Sequence, residues 1–470
     1  MTDPTLTTAH DPSVIVIFGI TGDLARNKVL PAIYHLFKSQ LISDHSFLVG
    51  TSRHETTTEH IVDTLKQTII SSGEEADEAV LAQLTSHLTM IQLDPETDEH
   101  YIQLKEHLQQ LEDSIGTCLQ QFFYLSIPPQ VFGTIVDRLG KHGLNHGCSH
   151  GTTTSRLLIE KPFGYDSDSA KELIAHTAQY FDEAQLFRID HYLAKETAQN
   201  ILTFRKQNPL FSHIWNNKHI TKISITAAEA IGIEGRANFY DQVGALRDSV
   251  QSHLMQLLSL TLMDVPEEMN ATTVHEAKQA VLDALQPVPA DLVNDRAVRG
   301  QYSSYRQEVG NPDTATETYA SVVLFSEDPK WQGVPLKLTN GKALRIKRTS
   351  ITIDFGEAGV NRLQFRIQPN EGITLTLQVK QPGLATEVSP TSMEFDYQTA
   401  FKFTGSLDAY ERVLIEAMRG DHTLFATDKE VLAAWNILQP VIDAWQGGNE
   451  DMTLYESGSD GPDVTKLSHT

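Results

Sequence analysis

The sequence predicts two domains of different fold class. The N-terminal one is an α/β domain with a Rossmann-like, doubly wound parallel sheet, and the C-terminal one is an α+β domain with a large, mainly antiparallel sheet covered by helices. The length of 470 residues exceeds one typical core. Strand and helix patterns alternate up to about residue 200, whereas later strands follow one another with few helices between them. We therefore predict domains at 1–195 and 196–446, followed by a flexible tail at 447–470.

Composition restricts the class of protein. The content of 40% apolar and 21% charged residues is typical of a globular protein, and a net charge of -24 argues against nucleic acid as a partner. No apolar run reaches the ~20 residues of a membrane span, and the N-terminus lacks the features of a signal peptide. Two cysteines, Cys118 and Cys148, are too few for a disulfide framework, which suits a reducing compartment. We expect a soluble cytoplasmic protein with no membrane partner and no metal site.

The strands of the first domain have the pattern of a parallel sheet. Ser13–Phe18 is short, continuously apolar and followed by glycine, as in a strand that is buried on both faces. A helical pattern follows at about 23–37. Further strands of the same kind are predicted at 46–50, 121–125 and 156–159, with helix-like segments between them.

The second domain is predicted from consecutive strand patterns. The strands are expected at 220–228, 318–325, 336–338, 350–355, 363–367 and 372–379. The alternation of polar and apolar residues in the last of these favours an antiparallel sheet with one covered face. Helical patterns at 238–263, 272–285, 407–419 and 428–446 are expected to supply that cover.

A glycine turn follows the first strand at the point where a helix begins. Its residues are Gly19, Ile20, Thr21, Gly22, Asp23, Leu24 and Ala25. Glycines there let the backbone approach a pyrophosphate, and the helix N-terminus offers unpaired N–H groups. The second strand ends at Arg53 without an acidic residue before Glu55. Since an arginine receives a 2′-phosphate where an acid would bind the ribose hydroxyls, the pattern favours NADP over NAD, with dual use left open.

The run from Leu186 to Glu196 concentrates ionisable groups at a strand end. An apolar segment ends at Asp190 and His191, and Lys195 follows at the start of a predicted helix. Histidine suits a general base because its reference pKa lies near neutrality, and a carboxylate can orient its ring. A lone histidine among 19 carries little weight. Taken alone, Lys195 reads more simply as a solvated residue of the helix start.

Six segments together resemble the glucose-6-phosphate dehydrogenase family. Residues 188–196 match R-I-D-H-Y-L-G-K-E with Ala194 in place of glycine, residues 19–28 resemble G-x-x-G-D-L-A-x-x-K, and residues 160–164 match E-K-P-F-G. A cis proline would give the last motif a structural role. Residues 229–236 resemble E-x-x-G-x-E-G-R, residues 241–253 resemble D-x-x-G-x-x-R-D-x-x-Q-N-H, and residues 341–347 resemble G-K-x-L-x-x-[KR]. Ala228 and Ser252 depart from residues that many relatives carry.

The resemblance extends from about residue 14 to residue 445 and implies an activity. It implies NADP-dependent oxidation of glucose 6-phosphate to 6-phosphogluconolactone, with His253 as general base and Asp190 as its carboxylate partner. The implied cofactor contacts are the loop of residues 19–25 with Lys28, Arg53 and Lys161. The implied substrate contacts are Lys161, His191, Tyr192, Lys195, Glu229, Asp248, Lys342 and Lys347. Relatives form homodimers or homotetramers through the sheet domain, and Arg345 receives no role.

Some readings stay open from the sequence. On an α-helix Asp248 and His253 would lie about 140° apart around the axis, so they would share a face only loosely. Another Rossmann-type sugar oxidoreductase with an E-K-P motif would explain Lys161, but not Asp190, His191, Lys195 and His253 together. A catalytically weakened, NADP-binding regulatory paralogue is suggested by the departures at residues 194, 228 and 252.

Overall fold

The computed structural model describes residues 11–148, 154–356, 360–401, 407–446 and 451–468. The chain forms two compact units. Unit 1 comprises the described residues of Met1–Phe163, Lys171–Ala194 and Leu407–Asp428, and unit 2 those of Gly164–Ala170, Lys195–Ser406 and Lys429–Thr470. The main boundary lies within one residue of the predicted one. The prediction differs in two segments, because 164–170 belong to unit 2 and 407–428 belong to unit 1.

The strands and helices have the following bounds. The strands are β1 Ser13–Phe18, β2 Ser46–Ser52, β3 Leu88–Gln92, β4 Gln120–Leu125, β5 Arg156–Ile159, β6 Leu186–Ile189, β7 Ile220–Ala228, β8 Ala297–Tyr302, β9 Tyr319–Leu324, β10 Leu336–Gly341, β11 Arg348–Phe355, β12 Asn361–Gln368, β13 Gly372–Lys380, β14 Val388–Asp396, β15 Phe425–Ala426 and β16 Thr453–Tyr455. The α-helices are α1 Leu30–Lys38, α2 Thr58–Ser71, α3 Glu78–His87, α4 Asp98–Ile115, α5 Phe132–Lys141, α6 Ser167–Thr177, α7 Glu196–Gln207, α8 Pro209–Ser212, α9 Ala237–Ala245, α10 Met255–Leu262, α11 Ala271–Ala284, α12 Val293–Arg296, α13 Tyr305–Val309, α14 Tyr397–Phe401, α15 Ala409–Arg419 and α16 Asp428–Trp445. Two π-helical segments, Ala25–Val29 and Leu246–Leu254, precede α1 and α10.

Unit 1 contains the predicted parallel sheet. Its strand order is β15-β6-β5-β4-β1-β2-β3, and all neighbours are parallel except β15, which is antiparallel to β6. From β3 to β6 this is the doubly wound order 3-2-1-4-5-6. The strand β3 is not predicted from the sequence, because its side chains are mostly only partly buried and give no continuous apolar run. In contrast, all six residues of β1 are buried, as its apolar run predicted.

The segment 407–419 was expected to cover the second sheet, and that expectation is wrong. Its helix α15 belongs to unit 1, where Val413 and Leu414 share a hydrophobic core with Ile33 and Leu36 of α1. The chain then adds β15, whose Phe425 pairs with Ile189. The apolar stripe of a helix shows that one face is buried, but not against which sheet.

Unit 2 contains the predicted, mainly antiparallel sheet. Its order is β14-β13-β12-β11-β7-β10-β9-β8-β16. Two pairs are parallel, β7 with β10 and β16 with β8. The strand β16 corrects the predicted flexible tail for residues 451–468, because Thr453–Tyr455 joins the sheet and Tyr455 is buried. Residues 447–450 and 469–470 of that tail lie outside the described residues.

The predicted helix at 238–263 is three consecutive segments. The helix α9 is kinked at Gly244, next to its last residue, where the backbone is non-helical with φ of +73°. The π-helix and α10 follow, and the π-helix packs on β7, β9 and β10. The buried Glu317 accepts a hydrogen bond from the Leu246 amide at 2.9 Å, so it satisfies a free donor at the helix start.

The other end of this helix is closed by side chains. The carbonyl oxygens of its last residues accept hydrogen bonds from Arg205, Trp215 and Trp331. Such carbonyls have no partner within the helix, and a cation near them also complements the helix dipole. The segment from 246 to 262 is therefore held at both ends by buried polar groups.

The two cysteines are joined. Cys118 and Cys148 form a disulfide within unit 1. This corrects the sequence argument that used them as evidence for a reducing compartment, and a cytoplasmic location stays a prediction. Among the described residues, no helix is both long enough and apolar enough to cross a membrane.

Replacing Gly244 by alanine should destabilise unit 2. A Cβ at this position would lie 2.6 Å from Oε1 of Glu317, and the positive φ adds strain, so we expect a loss of about 1–3 kcal/mol. Urea-induced unfolding measures this loss. The matched control is Gly310→Ala, because Gly310 has φ of +68° but nothing within 4 Å of the added carbon. Equal losses in both variants would contradict the steric role of Glu317.

Candidate active site

The cofactor loop lies at the switch point of the parallel sheet in unit 1. β1 is flanked by β2 and β4, and the chain leaves its carboxyl end at Gly19. Gly19 has φ of +75°, and a Cβ there would lie 2.4 Å from the carbonyl oxygen of Ser126. The Gly22 amide donates to the Gly19 carbonyl at 2.9 Å. Only glycine permits this approach of the two loops, at the place where such sheets bind nucleotides.

A cleft of about 250 Å³ opens beside this loop. It is lined by Phe18, Gly19, Thr21, Gly22, Thr51, Ser52, Arg53, His54, Leu93, Pro95, Ser126, Ile127, Pro128, Val131 and Ile135. Arg53 is exposed, and no Asp or Glu occurs among these described lining residues. The cleft therefore offers the cation of Arg53 to an anionic ligand.

The other predicted members of the loop contribute differently. Ile20 and Ala25 are fully buried, so they shape the turn through the backbone. Asp23 and Lys28 are exposed, Leu24 is partly buried, and none of the three lines the cleft. Arg26, which the sequence analysis did not select, lines a neighbouring cleft of about 210 Å³ with Thr21.

The segment after β4 was also missed by the sequence analysis. Ser126, Ile127 and Pro128 line the cleft opposite Gly19. The signal was present, because β4 is a predicted parallel strand and the carboxyl ends of neighbouring parallel strands lie at one edge of the sheet.

The E-K-P motif follows β5 in unit 1, and its Lys161–Pro162 peptide bond is cis. Glu160 accepts a 2.5 Å hydrogen bond from the hydroxyl of Tyr124. Burial raises the pKa of Glu160 to about 7, and the negative charge of Asp190 acts in the same direction. The Tyr124 hydrogen bond and the charge of Lys161 oppose this shift only in part. Glu160 therefore changes its charge near neutral pH.

Asp190, His191 and Tyr192 form a turn directly after β6. Asp190 is 2% exposed, and its Oδ1 accepts a hydrogen bond from the Tyr192 amide at 3.0 Å. The His191 ring stacks on Tyr410, with 6.0 Å between centroids and 17° between planes. Burial and the charges of Glu160, Asp408 and Asp190 raise the pKa of Tyr410. Tyr410 was missed because it comes from a distant segment of the chain, α15.

Unit 2 presents a second group of predicted residues at the carboxyl ends of β7 and β10. These two strands are parallel, with Gly341 paired to Ala228. The Glu229 amide donates to the Gly341 carbonyl at 2.8 Å, and Lys342 Nζ lies 2.8 Å from Glu229 Oε1. Lys342 is 1% exposed, and its ammonium also lies 5.1 Å from the ring centre of Tyr240. The lysine is thus oriented while Glu229 stays partly accessible.

His253 and Asp248 lie on the π-helix of unit 2, and its winding changes their relation. A π-helix bonds residue i to residue i+5, so these residues are linked across one turn, and the expectation from α-helical geometry is wrong. His253 is 4% exposed and Asp248 is partly accessible. The hydroxyl of Ser252 donates to the Asp248 carbonyl at 3.1 Å, so this departure from the family pattern bonds to the helix backbone four residues earlier.

The remaining predicted cations have separate positions. Lys347 is exposed directly before β11, where Arg348 pairs with Ala228, so its backbone position is next in register to Glu229. Arg345, for which the sequence gave no role, forms an ion pair with Asp460, and its amide donates to the Ser459 carbonyl at 2.8 Å. Arg345 therefore helps to attach residues 451–468.

The predicted site residues fall into two groups. Unit 1 carries the glycine loop, Arg53, Lys161 and the turn at 190–192, whereas unit 2 carries Lys195, at the N-cap of α7, together with Glu229, Asp248, His253, Lys342 and Lys347. The pairing of Asp190 with His253 joins residues of different units and stays a prediction. Each group by itself supplies cations and carboxylates at the ends of parallel strands.

Family models match both units of the chain. The model of the glucose-6-phosphate dehydrogenase NAD-binding domain covers residues 16–200, and that of the C-terminal domain covers residues 202–468. Glucose-6-phosphate 1-dehydrogenase of Chlamydia pneumoniae is 38% identical over 96% of this chain and 93% of its own length. The enzyme of that name from Aggregatibacter actinomycetemcomitans is 38% identical over 95% of this chain and 94% of its own.

Solved structures have the same fold. A glucose-6-phosphate dehydrogenase in complex with its substrate glucose-6-phosphate superposes with a TM-score of 0.90, at 31% identity over 98% of both chains. Glucose-6-phosphate 1-dehydrogenase from Mycobacterium avium gives 0.81, at 31% identity over 96% of both chains. Since these matches extend over nearly the whole chain, it belongs to the glucose-6-phosphate dehydrogenase family.

Proposed function

We propose that this protein oxidises glucose 6-phosphate to 6-phosphogluconolactone with NADP as hydride acceptor. The observation that carries the proposal is family membership over the whole chain, together with retention of every residue to which the family pattern gives a chemical role. The direct test is NADPH formation with glucose 6-phosphate, compared with free glucose and inositol. Another sugar oxidoreductase would prefer a different sugar, and a weakened regulatory paralogue would bind NADP without forming NADPH.

The residues of the cleft in unit 1 fit a phosphorylated dinucleotide. Gly19 lets its turn pack closely against Ser126, because a side chain there would collide with the Ser126 carbonyl, and a pyrophosphate would bind to such a turn after the first strand. Arg53 would bind the 2′-phosphate of NADP. No carboxylate occurs among the described lining residues to bind the ribose hydroxyls of NAD, so the cleft favours NADP. When bound, the nicotinamide accepts the hydride from C1 of the sugar.

His253 is the proposed general base. It takes the proton of the C1 hydroxyl while the hydride leaves the same carbon, so negative charge does not accumulate on the sugar oxygen. Asp190 is its proposed carboxylate partner, which orients the ring and stabilises the imidazolium that forms. Low exposure of both side chains suits these roles, because charges interact more strongly where water is excluded.

Polar residues of both groups are proposed to bind the sugar phosphate. His191, Tyr192 and Lys195 supply donors to the phosphate dianion beside the start of α7, and Lys347 adds a cation. Glu229 and Asp248 accept hydrogen bonds from sugar hydroxyls, as carboxylates can accept several at once. Lys342 holds Glu229 through their ion pair and is partly neutralised by it. These local cations offset the net charge of -24, which otherwise repels a phosphate.

The protein is proposed to act as a homodimer or homotetramer through its sheet domain. The outer strands β13 and β14 carry exposed apolar side chains, among them Val379, Val388 and Met393, on residues that the described chain leaves uncovered. A second copy would bury them, since exposed apolar groups on one sheet favour association. Analytical ultracentrifugation distinguishes the monomer, dimer and tetramer by mass.

Replacing His253 by asparagine should abolish general-base catalysis. Because asparagine cannot accept the proton, turnover should fall by ~10²–10⁴-fold or more, while the binding of glucose 6-phosphate stays nearly unchanged. Steady-state kinetics and calorimetric binding measure the two effects. A variant that loses binding but keeps turnover would show that another residue is the base.

Replacing Arg53 by alanine should weaken NADP much more than NAD. The variant loses a charge-assisted contact that only the 2′-phosphate makes, worth roughly 1.5–3 kcal/mol, or about ten- to a hundredfold in affinity. Michaelis constants for the two coenzymes measure this difference. The control is Arg26→Ala, at an exposed arginine that lines the neighbouring cleft. Equal weakening of both coenzymes by the Arg53 substitution would refute the assignment.

Replacing Glu160 by glutamine should stabilise the protein above neutral pH. Since the folded state holds the pKa of Glu160 at about 7, above its unfolded value, the wild type loses stability as pH rises from about 4.5 to 7. Glutamine stays neutral, so the variant should gain about 1–2 kcal/mol relative to wild type at pH 8, after allowance for partial exposure. Urea-induced unfolding at pH 5 and pH 8 tests this, and a difference independent of pH would contradict it.

A further inference from the structure

Three buried polar side chains of unit 2 form a closed triangle. Lys278 Nζ lies 2.8 Å from Glu430 Oε2 and 3.0 Å from Gln256 Oε1, and Gln256 Nε2 donates to Glu430 Oε2 at 3.1 Å. Lys278 and Glu430 are 0% exposed, and Gln256 is 4% exposed. The three residues come from α11, α16 and α10, so the triangle connects three helices.

A fourth residue, His275, helps to keep the Glu430 carboxylate of the triangle charged. His275 Nδ1 lies 2.8 Å from Glu430 Oε1. Burial alone would raise the pKa of Glu430, but Lys278 and His275 outweigh it and hold the pKa at about 2. The carboxylate is therefore charged throughout the pH range in which an enzyme of this family can be assayed.

The triangle is connected to the proposed base through a short stretch of helix. Gln256 follows His253 by three residues, and the change from π-helical to α-helical winding occurs between them. On the other side of His253, Gln251 Nε2 donates to the Val431 carbonyl, next to Glu430, at 3.5 Å. The first turn of α16 thus contacts the helix on both sides of His253.

A buried ion pair is a poor way to gain stability alone. The cost of removing two charges from water is often as large as their attraction, so apolar residues of similar size can serve the fold as well. A π-helical segment is also rare and needs contacts outside the helix to select its winding. Hydrogen bonds, unlike apolar contacts, are directional, so they fix the orientation of the Gln256 side chain.

We infer that the Lys278–Glu430–Gln256 triangle is a positioning device that holds His253 where it can take the proton of the sugar hydroxyl. This inference rests on the proposed function, in which His253 is the base. Gln256 is the positioning residue, and the buried ion pair fixes Gln256 through both atoms of its amide.

Two variants separate an effect on the position of His253 from an effect on the stability of the protein. Gln256→Met removes the link to the helix and leaves the ion pair in place. Turnover should fall about 10- to 100-fold, Michaelis constants for glucose 6-phosphate and NADP should change less than about threefold, and the acid limb of the pH profile, which reports the base, should shift. A Gln256→Met protein with unchanged turnover and pH profile overturns the inference.

The second variant replaces the whole triangle by apolar side chains. In Gln256→Met/Lys278→Met/Glu430→Leu no charge of the pair stays buried alone, so thermal stability should return close to that of the wild type. Turnover should stay low, because no polar contact then directs the helix. If turnover returns together with stability, the triangle serves only the fold and the inference is wrong.

The control is the ion pair of Arg299 with Asp451. Arg299 is buried on β8, whereas the strands with the main contacts to the π-helix are β7, β9 and β10. Arg299 also donates to the carbonyl of Trp445 at the last residue of α16, far along that helix from Glu430. Asp451→Asn should lower stability without a shift of the pH profile, and a shift equal to that of Gln256→Met would overturn the inference.

If His253→Asn keeps full turnover, the base assignment and this inference both fail. If His253→Asn is inactive and Gln256→Met is normal, only this inference fails.

Discussion

The pairing of parallel strands is the constraint on which both groups of site residues depend. Parallel neighbours end at the same edge of a sheet, so the loops that follow them are brought together whatever their separation in the chain. In unit 1, β1 and β4 place Gly19 against Ser126. In unit 2, β7 and β10 place Glu229 beside Lys342, within a sheet whose other pairs, except β8 with β16, are antiparallel.

The helical segment that carries His253 is held in place by contacts with residues outside the helix. Gly244 allows a sharp entry, Glu317 receives the first amide, and Arg205 binds a carbonyl at the last turn. The first part of the segment, Leu246–Leu254, winds as a π-helix, a rare conformation that often occurs at functional sites. Its position is therefore set by buried polar groups around it more than by its own hydrogen bonds.

A buried carboxylate in each unit has a shifted pKa, and the two pKa values are shifted in opposite directions. Glu160 lies in the same group as Asp190 and has a pKa near neutrality, because burial outweighs its favourable partners. Glu430 is more completely buried than Glu160, yet Lys278 and His275 keep it charged. The first carboxylate can respond to pH, and the second one supplies a constant charge.

The sequence by itself determined the two fold classes and most inner strands, and it supplied the candidate site residues whose roles are proposed above. It could do so because buried strands need continuous or alternating apolar runs, and because glycine at residue 19 and the acid-base pattern at 190–195 are local signals. Only the tertiary structure decided that α15 packs in unit 1, that residues 453–455 extend the second sheet, and that Tyr410 stacks on His191. It also decided the π-helical winding that brings Asp248 and His253 into one turn. These outcomes depend on contacts between segments far apart in the chain, whose energies no local pattern of residues contains.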